Sequence, residues 1–184
     1  AKAEDGSYAA FWENFGSVLK EGMYEDHEQR ERLLELARFR STASDGWVSL
    51  AEYVLRMKPG QDAIFTISGE HIEALRSSPQ LEACRAKGVE VLLLADPIDD
   101  FWLPTTSRYQ DKPLRSLTRG EVDLSKIQGE ANDGEAASAE QEAVPGAEMD
   151  RLIALFKSQL GERVKDVRPS ARLTDSAVCL VADE

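Results

Sequence analysis

The chain has 184 residues, 42% hydrophobic and 30% charged, with 34 acidic against 22 basic side chains and a formal net charge of −12. That length suits one domain or two small ones, and the acidic balance excludes nucleic acid or an anionic membrane surface as the main partner. No apolar run approaches the roughly 18–20 residues of a bilayer span and Ala1–Ser7 is no signal peptide, so a cytoplasmic protein is expected. Cys84 and Cys179 stand far apart in apolar patterns, which predicts free thiols rather than a disulfide or a zinc site. The polar opening Ala1-Lys2-Ala3-Glu4-Asp5-Gly6, without an initiating Met, suits a piece of a longer chain.

Tyr8, Phe11, Phe15, Val18 and Leu19 recur at helical spacing, predicting a helix over Ser7–Lys20 stopped by Gly22. A second helix is expected over Asp26–Phe39, capped by Asp26. Ser49-Leu50-Ala51-Glu52 is a capping box opening a third, which runs to Met57 before Pro59-Gly60. Ala63–Ile67 reads as a strand, followed by a helix over Glu70–Arg76 with Ser68 as its cap. Ser78-Pro79 opens another helix, with serine as cap and proline at the first helical position, closed by Lys87-Gly88.

Val89-Glu90-Val91-Leu92-Leu93-Leu94 lacks polar alternation and so predicts a strand covered on both faces, joined to the first strand by a right-handed parallel crossover. Leu114–Leu117 adds a short edge strand. From Gly120 to Ala147 acids stand among Ala, Gly and Ser, which reads as a solvated linker. An amphipathic helix then spans Met149–Leu160, and strands are expected over Val164–Arg168 and Ala177–Val181. The expected class is α/β: an N-terminal helical layer (1–60), a small three-layer αβα parallel-sheet unit (61–118), an acidic linker (119–146) and a truncated α+β piece (147–184).

Function is expected where the central strand ends, because loops at the carboxyl ends of parallel strands collect binding residues. Asp96, Asp99 and Asp100 there suit either helix capping or a magnesium site, and the latter would make the chain a receiver-like or phosphoryl-transfer domain centred on Asp96. His27 and His71 are lone histidines among acids and read as solvated or capping. Ser68-Gly69 lacks the glycine pattern of a phosphate loop. Phe101 and Trp102, adjacent aromatics beside Asp99 and Asp100, leave a different reading open, a surface ring anchoring a partner that carries apolar and basic groups.

Seven blocks carry a family likeness. Phe11-Trp12-Glu13-Asn14-Phe15-Gly16, Arg30-Glu31-Arg32-Leu33-Leu34, Ser49-Leu50-Ala51-Glu52-Tyr53-Val54, Ile67-Ser68-Gly69-Glu70, Ser77-Ser78-Pro79, Val89 to Asp99, and Val164-Lys165-Asp166-Val167-Arg168 with Arg172-Leu173-Thr174-Asp175-Ser176 resemble, in that order, the ninety-kilodalton heat-shock chaperones of the bacterial HtpG type. The resemblance implies the C-terminal part of a middle domain, through about Thr118, joined to the opening of a C-terminal dimerisation domain. It implies a full-length homodimer that uses ATP and Mg, with the nucleotide site and a catalytic arginine before Ala1, so that these 184 residues hold no cofactor and catalyse nothing. It further implies binding of unfolded or partly folded client proteins through an acid-aromatic pair, here Asp100 and Phe101, and because the bacterial pattern usually has its tryptophan one place earlier than Trp102, the expected client-binding residues are Asp100, Phe101 and Trp102.

Overall fold

The computed structural model describes residues 6–120, 122–127 and 146–182. It divides into two compact units, one formed by Ala1–Gly129 with Arg172–Glu184, the other by Glu130–Ala171. The acidic segment expected to link two domains lies outside the described residues from 128 to 145.

Helix α1 spans Ser7–Glu25 and runs through Gly22. A Cβ at Gly22 would sit 2.9 Å from the Leu33 side chain, so this glycine admits a neighbouring helix and stops nothing. The stop falls at Asp26, whose carboxylate accepts the amides of Glu28 and Gln29, and helix α2 covers only Arg30–Leu36. Arg38 ends α2 before Phe39 by donating to the Leu36 and Ala37 carbonyls, each at 2.9 Å. Phe39 then bridges Val48, and strand β1, Arg40–Ser41, joins the sheet.

The capping box forms as its spacing requires: Ser49 Oγ accepts the Glu52 amide and Glu52 accepts the Ser49 amide at 2.7 Å, opening α3, Leu50–Leu55. Strand β2, Ile64–Ser68, includes the serine expected to cap a helix. Ser68 pairs with Leu94, and α4, Ile72–Arg76, starts after His71 without a side-chain cap. Ser78 accepts from the Gln80 amide above a short turn at Pro79–Leu81 that leads into α5, Glu82–Ala86. The buried run contributes β3, Leu92–Leu94. Helix α6, Asp99–Trp102, passes through a 3₁₀ turn into the hairpin β4, Arg108–Tyr109, and β5, Lys112–Ser116.

The sheet order is β1-β3-β2-β5-β4. The predicted parallel pairing of β2 with β3 is present, yet β1 runs antiparallel to β3 and β4 antiparallel to β5, so the sheet is mixed. The expected edge strand β5 is interior, between β2 and β4. Side chains alternate across the sheet: Ile64, Leu92 and Leu94 join Trp12, Phe39 and Trp102 in one cluster, while Phe65, Ile67 and Leu93 join Leu81 and Cys84 in another. Part of the stretch read as linker belongs to the second cluster, because Leu124 and Ile127 are buried in it. Gly60 makes room for them: at φ +84° it lies where a Cβ would meet the Lys126 carbonyl oxygen at 2.1 Å.

Arg172 returns to the first unit, donating to the Leu117 and Gly120 carbonyls. Glu82 holds the residues that follow: its Oε2 accepts the amides of Thr174, Asp175 and Ser176 at 2.7, 3.0 and 3.2 Å, and its Oε1 accepts the Ser176 hydroxyl. No strand forms over Ala177–Val181, which is followed by a single bridge of Ala182 with Arg119, or over Val164–Arg168. A strand is defined by a ladder of backbone pairings, and neither run is part of one in the described residues. In the second unit, α7 spans Gly146–Leu160 and Lys157 pairs with Asp166 at 2.6 Å.

Candidate functional site

The turn after β3 is anchored by a buried ion pair. Lys20, on α1, brings its Nζ to 2.8 Å from Asp99 Oδ1 and 3.0 Å from Oδ2. Asp99 is 1% exposed, and its oxygens also accept Trp102 Nε1 at 2.7 Å and the Asp96 amide at 3.2 Å. A carboxylate taken out of water needs such a set, because an unpaired buried charge is costly. Burial pushes the Asp99 pKa up, against the Lys20 charge and the hydrogen bonds from Lys20 and Trp102, which draw it down.

Trp102 is 0% exposed and packs against Phe39 with ring centroids 5.8 Å apart. Of the three residues expected to bind a partner, Trp102 is therefore enclosed in the core, and the adjacent ring left at the surface is Phe101. Trp102 follows Asp99 by three places and so falls on the same helical face, and the buried carboxylate satisfies its indole N–H. Phe101 is turned about 100° away by the helical rotation and remains 57% exposed, beside an exposed Asp100. One contact from another element steadies it: Tyr24 of α1 meets Phe101 edge-on, with centroids 6.1 Å apart and planes at 69°.

The magnesium reading finds no support here. Lys20 Nζ lies among the carboxylates where a metal would sit, 3.7 Å from Asp96 Oδ2 as well as on Asp99, and Asp99 spends its lone pairs on protein donors. Among the described residues no group of three or more His, Cys, Asp or Glu could hold a metal ion. His27 Nδ1 contacts Arg30 Nη2, and His71 is an exposed residue at the start of α4. An open cleft of about 310 Å³ beside the turn is lined by Trp12, Lys20, Phe39, Arg40, Trp47 and Asp96. Its cations are committed within the fold, Lys20 to Asp99 and Arg40 to the Asp45 carbonyl and the Trp47 ring.

Lys20 and Tyr24 were missed by the sequence reading. Both lie on α1, far in sequence from the turn they serve, and no local pattern marks either.

The first unit is a mixed α/β layer with one exposed aromatic ring, Phe101, just after the end of a buried strand. The Hsp90 protein family profile matches residues 1–184, and the chain belongs to that family. It is 56% identical over 185 residues to chaperone protein HtpG of Paramagnetospirillum magneticum, 52% over 184 residues to that of Roseobacter denitrificans and 50% over 186 residues to that of Rhodospirillum rubrum. Each alignment covers 100% of this chain and 29% of the first two relatives, so the chain spans under a third of their length. Among solved structures, the middle domain of a Plasmodium falciparum heat shock protein matches with a TM-score of 0.61 and 31% identity, over 65% of this chain and 50% of that one.

Proposed function

We propose that these residues form the client-binding and interdomain-coupling part of an ATP-dependent chaperone, with no catalysis of their own. Unfolded or partly folded proteins are the partners, bound at Phe101 and Asp100. The observation that carries this reading is the division of labour within one helical turn. Asp99 and Trp102 are locked to α1, so Phe101 is held outward on a rigid support instead of collapsing onto the core. Such preorganisation lowers the ordering cost of binding. The strap from Arg172 held by Glu82 supports the coupling role, because it ties distant chain to α5. The use of ATP and Mg, the homodimer and the cytoplasmic setting are proposed for the longer protein, on family membership alone.

The test is fluorescence anisotropy with labelled, reduced and carboxymethylated α-lactalbumin as the unfolded client. Phe101→Ala is expected to weaken binding by about 1–3 kcal/mol while circular dichroism and melting stay unchanged. Unchanged affinity in a folded variant would overturn the assignment of the site.

A further inference from the structure

We infer that the client surface extends onto α1: Tyr24 and Phe101 form one two-ring site, and Glu21, Glu25 and Asp100 around it select segments in which apolar residues are flanked by lysine or arginine. The inference rests on the client-binding reading of Phe101 and adds to it both residues and a substrate class.

Three observations meet at this place. Tyr24 is 46% exposed and its only ring partner among the described residues is Phe101, in the edge-on geometry that leaves part of each ring open to a third group. The two rings come from elements whose relative position is fixed by the buried Lys20–Asp99 pair, so the gap between them is a property of the fold. Three exposed carboxylates stand beside them. Glu21 stands one turn before Tyr24 on the same face of α1, Glu25 follows Tyr24 and Asp100 precedes Phe101, all exposed. Of the nearby cations, Lys20 is buried against Asp99 and Arg30 is half-buried and turned to the Met23 and Thr105 carbonyls, so the exposed acids outnumber them. An acidic rim around an apolar pair attracts basic-flanked apolar chain and repels acidic chain.

The probes are fluorescein-labelled 15-residue peptides in a Gly-Ser background. One carries two Leu and a Phe flanked by Arg, a second has Glu in place of each Arg, and a third has Gln. Tyr24→Ala is expected to weaken the Arg peptide five- to tenfold, with Tyr24→Phe near the parent affinity. In a double-mutant cycle, Tyr24→Ala and Phe101→Ala together are expected to cost clearly less than the product of their separate effects. Glu21→Gln with Glu25→Gln is expected to weaken the Arg peptide at least threefold and leave the Gln peptide unchanged. If Phe101→Ala weakens binding while Tyr24→Ala does not, this inference fails and the client-binding reading stands. If neither matters, that reading fails and takes this one with it. Equal binding of the Arg and Glu peptides overturns the charge selection.

Discussion

Lys20 Nζ lies 2.8 Å from Asp99 Oδ1 in a site where both side chains are nearly closed to solvent. The pair spans 79 positions of sequence and pins the first helix to the turn that displays Phe101. Removing the lysine alone strands a buried carboxylate, so Lys20→Met is expected to cost about 3–5 kcal/mol in urea unfolding. Lys20→Met with Asp99→Asn is expected to recover most of that, because the charge is gone and an amide oxygen still accepts the Trp102 N–H. A single-variant cost under about 1 kcal/mol would show that the pair is not closed to water as described.

The neighbours in α6 are expected to separate cleanly when each is truncated. Trp102→Ala empties a fully buried site and should cost about 3–5 kcal/mol, as large aromatic deletions do. Phe101→Ala removes a ring that is mostly in water and should change stability by under about 1 kcal/mol. Thermal unfolding followed by calorimetry decides; equal losses would mean that both rings carry the core.

Glu82 makes the strap from Arg172 pH-dependent. The Ser176 hydroxyl and the amides of Asp175 and Thr174 stabilise the carboxylate and lower its pKa from 4.5 to about 2. A group depressed in the folded state contributes stability above its unfolded pKa, and that contribution fades as pH falls toward the folded value. The strap is therefore expected to loosen between pH 4.5 and about 2. Hydrogen exchange at the Thr174, Asp175 and Ser176 amides reads this directly. In Glu82→Gln those amides should already exchange fast at pH 6; protection equal to the parent's would remove the carboxylate from its role.

The two thiols should differ in reactivity. Burial pushes the Cys84 thiol up to about 12, leaving almost no thiolate near neutrality, whereas Cys179 is only partly buried. Iodoacetamide at pH 8 is expected to modify Cys179 first and Cys84 only once the first unit unfolds. Mass spectrometry of the two peptides checks the order, and comparable rates would mean that Cys84 is not enclosed.

Local features were legible because they depend on neighbours in sequence. The Ser49–Glu52 box, the Ser78-Pro79 start and the buried Val89–Leu94 run each act over a few residues, and each formed as its chemistry requires. Glycine and serine were less readable. Gly22 was expected to end a helix and instead admits Leu33, and Ser68 was expected to cap one and instead pairs in the sheet. Whether such a residue punctuates or packs depends on what the fold brings beside it. The linker reading failed at Leu124 and Ile127 for the same reason, since an acidic segment conceals two apolar side chains that a distant Gly60 has room to receive.

By itself the chain's order of residues determined a parallel β-α-β crossover, a two-faced buried strand, and the acid-aromatic cluster where that strand ends. Periodicity, caps and turn chemistry act within a few residues, so they can be read without a partner. Only the tertiary structure decided which of two adjacent rings is displayed. That choice is made by Lys20 and Tyr24, residues of another element: the ammonium of one draws Asp99 and Trp102 into the core, and the ring of the other meets the Phe101 left outside.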